Sequence, residues 1–248
     1  MKDTIFNDYA SFIQRIVTLV GQGYYYHKRI VLNELKKDRW VNTDRKLQSI
    51  FPVGASKDAR YRRQKAGLAN YFYMRWEGTI VMLCTNGLKV GQVKDQPYNP
   101  VQGDIFKDIR KSALEVCVGA ETTLKIGKSY VKNHKKPKLS GKRKPTHKRK
   151  VQDQPMFSYT VYLSKSTFKN IKAGIIEAIM DNNVKKAEYI FNAMNGLPRY
   201  SGIVRQSKNM LEEVKSICKK YHVIFERDNF TVKSYRPFKK NVAGKPSK

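Results

Sequence analysis

The sequence predicts an α+β fold, with an antiparallel sheet-rich N-terminal half and a helix-rich C-terminal half joined by a disordered basic loop. Three observations support this prediction. Strand-like segments rich in aromatic and β-branched residues alternate with short turns between residues 71 and 93. Apolar residues recur at three- and four-residue steps in several segments after residue 164, which indicates amphipathic helices. Between the halves, the tract 132–150 holds ten Lys or Arg and no acidic residue, so it cannot build a core.

The N-terminal half begins with a predicted helix and a predicted strand. Apolar residues of the segment Asp3–Val20 recur at helical spacing, which predicts a helix with one buried face. The segment Tyr24–Leu32 is rich in aromatic and β-branched residues and is predicted to be a strand. A short basic helix is predicted within Ser56–Asn70, because Ser56 can cap it and Asp58 lies in its first turn.

The clearest strand signal lies between residues 71 and 93. Asn86-Gly87 readily adopts the positive φ angles that a two-residue hairpin turn demands, and Glu77-Gly78 forms a second tight turn. We therefore predict a three-stranded meander of Tyr71–Trp76, Thr79–Thr85 and Leu88–Val93. Two later segments, Ala113–Val118 and Thr122–Val131, are expected to join the same antiparallel sheet.

The C-terminal half is predicted to begin with a strand and to continue as helices. Phe157–Leu163 alternates like a strand, and Ser164 is the expected N-cap of the helix that follows. Further helices are expected at Val184–Met194 and Gly202–Tyr221, and a closing hairpin at His222–Arg227 and Phe230–Tyr235.

The composition shift predicts the domain organisation. We expect a sheet-rich α+β domain at 1–131, a flexible basic linker at 132–155, a helix-rich α+β domain at 156–236 and a basic tail at 237–248. The linker is expected to be disordered because a block of like charges repels itself.

Net charge narrows the classes of function. The chain has 50 Lys plus Arg against 20 Asp plus Glu, a formal charge of +30. Solubility alone needs only a few net charges, whereas cations that neutralise phosphates release counterions and gain affinity. Hydrophobic residues make up 40% of the chain, which excludes a wholly disordered class. The partner expected from these numbers is nucleic acid.

Two groups of residues in the N-terminal half are the main candidates for that contact. The basic helix supplies Arg60, Arg62, Arg63 and Lys65 for phosphates. On a strand, every second residue points to the same face, so Tyr71, Tyr73 and Arg75 share one face on which bases can stack. The alternative for this strand is ordinary cross-strand aromatic packing.

Two other segments supply the remaining candidates for phosphate contact. One is the run of aromatic and basic residues at 24–29, and the other is the tract 132–150. The residues are Lys28, Arg29, Lys142, Arg143, Lys144, Lys148, Arg149 and Lys150.

Signals for enzymatic chemistry are thin. Candidates for a nuclease metal site include two acidic pairs at helical i,i+4 spacing, Asp104 with Asp108 and Glu177 with Asp181. The four histidines lack metal-ligand spacing, and there is no glycine-rich phosphate loop. We predict no catalytic residue, metal or cofactor, and lean towards a protein that is not an enzyme.

These observations predict a non-catalytic nucleic-acid-binding protein, with RNA favoured over DNA. It would act with other subunits in a ribonucleoprotein, or as an accessory protein of a plasmid, phage or transposon. The alternatives are a nucleic-acid-cleaving enzyme, either a metal-dependent nuclease or a replication initiator, and a ribosome-associated structural protein. A helix-turn-helix between residues 184 and 221 is a further possibility for DNA contact.

The expected location is the cytoplasm, without a membrane partner. No run approaches the roughly 18 apolar residues of a membrane span, and Asp3 and Asp8 interrupt the N-terminus where a signal peptide is apolar.

The cysteines Cys84, Cys117 and Cys218 are predicted to be buried and reduced, because each lies beside apolar neighbours and their number is odd.

Overall fold

The computed structural model describes residues 4–87, 106–130, 157–225 and 230–232. The α+β prediction is confirmed, because mixed and antiparallel sheets lie mostly in the N-terminal part and helices lie in the C-terminal part. The strands are β1 (Ile5–Phe6), β2 (Tyr26–Val31), β3 (Tyr71–Trp76), β4 (Thr79–Cys84), β5 (Lys107–Asp108), β6 (Leu114–Cys117), β7 (Thr123–Tyr130) and β8 (Phe157–Leu163). The helices are α1 (Tyr9–Gly21), α2 (Trp40–Ile50), α3 (Lys57–Lys65), α4 (Lys165–Met180), α5 (Val184–Ala193) and α6 (Ser201–Lys220), with short 3₁₀ turns at Glu34–Arg39 and Met194–Gly196.

Several predicted elements lie outside the described residues. These are the third strand of the meander at 88–93, the basic linker at 132–155 and the tail at 237–248. Of the predicted closing hairpin, residues 222–225 and 230–232 are described, and they form no strand.

Contacts divide the chain into two compact units, which differ in sequence range from the predicted domains. The first unit comprises Met1–Leu114 and Ile126–Thr160, and the second comprises Glu115–Lys125 and Val161–Lys248. Strands β6, β7 and β8 form a separate three-stranded sheet in the order β6-β7-β8, so the expectation that Ala113–Val118 and Thr122–Val131 join the sheet of the meander is wrong. The predicted domain boundaries remain predictions.

The first unit is built on a five-stranded sheet in the order β1-β3-β4-β2-β5. Strands β3 and β4 form the predicted hairpin, in which Glu77 takes the left-handed conformation at φ 46°. Strand β2 pairs antiparallel with β4, so a segment far away in sequence completes the centre of the sheet. Strand β1 pairs parallel with β3, which makes the sheet mixed.

Both faces of this sheet are covered. On one face, Tyr71 and Tyr73 belong to a core closed by Phe51 and Phe106, with the rings of Phe51 and Tyr71 centred 5.2 Å apart. On the other face, α1 buries its apolar stripe, and Phe12 lies 6.3 Å from the ring of Trp76. Burial on two faces gives this small sheet a core on each side.

A buried carboxylate joins α2 to β3. Asp44 accepts a hydrogen bond from the hydroxyl of Tyr73 and another, at 3.1 Å, from Nε of Arg75. The side chains of Arg75 and Asp44 are only 11% and 6% exposed, and the guanidinium also lies 5.5 Å from the ring of Trp40. Burial and the hydrogen bond to Asp44 raise the pKa of Tyr73. These groups form one charge-neutral network.

His27 is a second buried polar group of the first unit. Its Nε2–H donates to the carbonyl oxygen of Ser112 at 3.4 Å, while Nδ1 has no partner within the described residues. Burial, and then the positive charge of Lys107, lower the pKa of His27 to about 4, although Asp108 acts in the opposite direction. The imidazole is therefore neutral in the folded protein at pH 7.

The second unit packs α5 and α6 against α4. Ser164 caps α4 as predicted, with its hydroxyl accepting from the amide of Thr167 at 3.1 Å. Gly174 of α4 permits a close approach of α5, because an added Cβ would lie 3.4 Å from Cδ1 of Ile190. The side-chain amide of Gln206 joins α6 to the end of β8 through both backbone groups of Leu163.

The structure tests the prediction that all three cysteines are buried. Cys84 and Cys218 are buried as predicted, but the prediction for Cys117 is wrong, because it is exposed. In its strand, the inward residues Leu114 and Val116 alternate with outward residues, and Cys117 falls on the outward side.

Within the described ranges, no helix is both long enough and apolar enough to cross a membrane.

Replacing Asp44 with Ala should strongly destabilise the first unit. The change leaves a buried guanidinium and a buried hydroxyl without their acceptor, which typically costs about 3–5 kcal/mol. Urea denaturation of the full chain measures this loss. Asp38→Ala is the matched control, because Asp38 pairs with Arg39 on the surface and should change stability by no more than about 0.5 kcal/mol. A loss below about 1 kcal/mol in Asp44→Ala would contradict the network.

Stability should fall as the pH drops from about 6.5 to about 4, partly because of His27. In this window the unfolded chain protonates the imidazole at its ordinary pKa of about 6.5, while the folded chain keeps it neutral. The stability contribution is thus present above about pH 6.5, and roughly 3 kcal/mol is lost by pH 4.

His27→Phe should flatten that part of the pH profile of the free energy of unfolding. The reference is the unchanged protein, whose slope in this window should be steeper by the His27 contribution. A slope in His27→Phe equal to that of the unchanged protein would show that folding does not lower the pKa of His27.

Candidate nucleic-acid interface

Helix α3 forms where its sequence provides a start and a stop. The hydroxyl of Ser56 accepts from the amide of Ala59 at 3.1 Å, and Asp58 lies in the first turn, as predicted. Gly67 ends the helix with φ +73°, and the next amide, of Leu68, donates to the carbonyl of Arg63 at 2.9 Å. This is a helix end that favours glycine, since the left-handed conformation strains other residues.

None of the nine residues of α3 is buried. Most surface helices of a globular domain bury one apolar stripe, but α3 contains five cations and one acid in the sequence KDARYRRQK. Its position must therefore come from polar and cation–aromatic contacts instead of apolar burial.

Two hydrogen bonds and a close backbone contact attach α3 to the sheet. Nη2 of Arg63 donates to the carbonyl of Ala69 at 2.6 Å, and Nδ2 of Asn70 donates to the carbonyl of Arg60 at 3.1 Å. The backbone of Gly87 packs against Leu68 and Ala69, between α3 and β3, where a Cβ added to Gly87 would lie 2.6 Å from the amide nitrogen of Ala69. The end of β4 thereby supports the exit from α3.

The guanidinium groups of Arg60 and Arg15 share one aromatic ring. They lie 4.9 Å and 5.1 Å from the centroid of Phe72, and Tyr24 meets the same ring edge-on at 5.2 Å. Burial raises the pKa of Tyr24, and the positive charges of Arg60 and Arg15 oppose that rise. Cation–π attraction thus brings one guanidinium group from α1 and one from α3 to the same ring of Phe72.

The outer side of α3 carries a ridge of exposed side chains. Lys57, Tyr61 and Lys65 are spaced four residues apart and so lie on one side of the helix. Nζ of Lys65 lies 5.1 Å from the ring of Tyr61, which is 57% exposed. Arg62 is exposed beside them. We call Arg15, Lys57, Arg60, Arg62 and Lys65 the α3 cations.

The α3 cations, like most cations in the described residues, lack acidic partners. Within the described residues, none of them forms an ion pair. By contrast, Arg75 pairs with Asp44, Lys125 with Glu115 at 2.6 Å and Lys172 with Glu213 at 2.7 Å. A group of unneutralised cations around one exposed helix is suited to binding phosphates.

The structure separates the residues that the sequence grouped on β3. Tyr71 and Tyr73 are each 1% exposed, so neither ring is accessible to a base in this conformation. Arg75 is held in the network with Asp44. The packing alternative describes all three side chains, and we leave them out of the candidate interface.

The other predicted contact residues lie on β2 or outside the described residues. The register places Lys28 on the sheet face of Tyr73 and Met82, where it is half-buried, and places the exposed Arg29 on the opposite face. The predicted contacts in the tract, Lys142, Arg143, Lys144, Lys148, Arg149 and Lys150, lie outside the described residues.

The acidic pairs have different environments. Asp108 pairs with Arg110, whereas Asp104 lies outside the described residues. Glu177 and Asp181 are both exposed at the end of α4. Among described side chains, no three histidine, cysteine or acidic groups come together as a metal site.

The two helices of the possible helix-turn-helix, α5 and α6, both pack against α4.

Three members of this surface were missed from the sequence. Lys57 precedes the predicted cations by one turn, and Tyr61 lies among them, so helical spacing alone would have placed both on the ridge. Arg15 interrupts the apolar pattern of α1, but its position over Phe72 depends on a strand more than fifty residues away.

Comparisons with protein-family models, curated proteins and solved structures give no match for this chain.

Proposed function

We propose that the protein binds nucleic acid through the surface of α3, without a catalytic step. The observation that carries this proposal is the set of α3 cations, which surround a helix with no buried residue and have no acidic partner in the described part of the chain. Arginine and lysine in such a set can neutralise consecutive phosphates and release their counterions. RNA is favoured over DNA as the partner, within a ribonucleoprotein or an accessory complex of a mobile element.

The geometry supports a division of labour among the α3 cations. Arg60 and Arg15 both lie against the ring of Phe72, so each guanidinium group is pre-oriented for contact with a phosphate. Arg62 and Lys65 extend from the outer side of α3 and can adapt to a neighbouring phosphate. Both pairs contact the backbone of the nucleic acid, so the affinity from this surface should depend little on base sequence.

The primary test is the identity of the bound nucleic acid. The protein is purified from its own cells without nuclease and washed at moderate salt, and the retained nucleic acid is sequenced. One enriched RNA or DNA species is expected for a specific complex. Absence of any retained nucleic acid, together with no binding of RNA or DNA oligonucleotides in vitro, would overturn the proposal.

Removing charge from the ridge should weaken binding and its salt dependence. Arg62→Gln with Lys65→Gln should lower the affinity for a single-stranded oligonucleotide about tenfold, and reduce the slope of log K against log salt by about 1.4. Filter binding at several salt concentrations measures both quantities. The matched control is Lys185→Gln with Lys186→Gln, which removes two exposed charges from α5. Equal losses in both double variants would mean that α3 has no special role.

Neutralising the basic tract should have a larger effect on the salt slope. Replacing residues 132–150 with a Gly/Ser segment of equal length removes ten cations and keeps the link between β7 and β8. Affinity and slope should both fall, while circular dichroism in the helix and strand region stays unchanged. An unchanged slope would exclude the tract from the interface.

A further inference from the structure

A second group of aromatic and cationic side chains in the first unit surrounds Arg110. Nε of Arg110 donates to both carboxylate oxygens of Asp108, at 2.9 Å and 3.1 Å. Its Nη2 donates to Asp108 at 2.8 Å and to the hydroxyl of Tyr26 at 3.3 Å. Four hydrogen bonds fix the orientation of the guanidinium plane.

The backbone beneath this side chain is also fixed. The carboxylate of Asp108 accepts from the amide of Arg110 at 2.9 Å, which makes a local turn. The amides of Lys111 and Ser112 both donate to the carbonyl of Asp108, at 3.0 Å and 2.8 Å. Burial opposes ionisation of Asp108, but its bonds to Arg110 outweigh burial and hold its pKa below the usual value.

Tyrosine rings lie against the guanidinium. The guanidinium carbon of Arg110 is 4.7 Å from the centroid of Tyr25 and 5.7 Å from that of Tyr26. The ring of Tyr159 lies 5.9 Å from that of Tyr25 with an interplanar angle of 34°. The three rings are half-buried, while the side chain of Arg110 is 38% exposed. We call Arg110, Tyr25 and Tyr159 the Arg110 platform.

The Arg110 side chain is ordered but remains partly open to solvent. The side chain of Asp108 is only 11% exposed, whereas that of Arg110 is 38% exposed, so the pair fixes a long side chain, at a cost in entropy, while part of its surface stays accessible. Within the described residues, Nη1 of Arg110 has no hydrogen-bond partner. Lys107 and Lys111 are exposed on either side of the turn. The site thus presents a rigid cation–aromatic surface, in which Nη1 of Arg110 is available as a hydrogen-bond donor and two further cations lie alongside.

We propose that the Arg110 platform binds an unpaired nucleobase by stacking, with Lys107 and Lys111 near the adjoining phosphates. Planar guanidinium groups and tyrosine rings both stack on bases, and a base is available for this only when it leaves the duplex. This inference rests on the proposed function and deepens it, because it names single-stranded nucleic acid as the substrate class. The α3 cations by themselves do not distinguish single strands from duplexes.

The platform and the α3 cations meet at neighbouring residues. Tyr24 contacts Phe72, beneath Arg15 and Arg60, and the next residue, Tyr25, belongs to the platform. A single strand that contacts both surfaces would place phosphates at the α3 cations and a base on the platform.

Arg110→Lys tests this proposal because it keeps the charge and removes the stacking plane. Affinity is measured for a single-stranded oligonucleotide, made as RNA and as DNA, and for the corresponding duplexes. The single strands carry 2-aminopurine, whose fluorescence is quenched by stacking. We expect the variant to bind single strands about tenfold more weakly, to bind duplexes within about twofold of the wild type, and to lose most of the quenching.

Two further variants complete the experiment with the full-length chain. Tyr25→Leu removes the ring below the guanidinium and leaves the Asp108 pair in place, so it should reproduce the selective loss even if Arg110→Lys is poorly folded. Lys111→Gln is the control for charge, and it should weaken single-strand and duplex binding equally while the quenching remains.

The outcomes separate the two proposals. If Arg110→Lys and Tyr25→Leu bind single strands as tightly as the wild type, or lose single-strand and duplex affinity equally, the platform is overturned. The proposed function then stands as long as the Arg62 and Lys65 double variant binds more weakly. If the wild type binds neither single strands nor duplexes, the proposed function fails and the platform fails with it.

Discussion

Burial of strand β3 on both faces is the constraint on which the first unit depends. Tyr73 and its neighbours on one face are sealed by Phe51 and Phe106, which come from outside the hairpin. Met74 lies on the other face, beneath α1. Phe72 shares the face of Met74 but is only half-buried, and its ring lies beneath cations instead of an apolar layer. The exposed basic surface thus begins where the apolar cover of the sheet ends.

Most of the fold could be predicted because its signals are local. Capping by Ser56 and Ser164, the tight turn after β3 and the apolar spacing of α1 each depend on residues within a few positions. The layer that covers the face of Tyr71 could not be predicted, because Phe106 lies 35 positions away and its approach is a tertiary event. Alternation in a strand assigns residues to two faces, but it does not say whether either face meets solvent.

The candidate site, like the fold, could be predicted where its signals are local. The basic helix was located correctly from its cap and composition, yet the sequence treated Arg75 and Arg62 as equivalent. They differ because Asp44, on α2, reaches Arg75 across the sheet, whereas Arg62 has no acid near it in the described structure. For Asp108, the spacing from Asp104 indicated a possible metal ligand, and in the structure its carboxylate orients Arg110.

These pairings explain why net charge is a poor measure of a binding surface. The formal charge of +30 counts every cation equally. A cation paired with a buried carboxylate, however, cannot move to a phosphate without leaving that carboxylate buried and unpaired. The pair of Arg110 with Asp108 is different, because its charge is balanced while the partly exposed side chain of Arg110 remains accessible. Paired cations can therefore contribute orientation and stacking, and unpaired cations contribute counterion release. A nucleic-acid interface built from both kinds gains affinity from the second kind and selectivity for unpaired bases from the first.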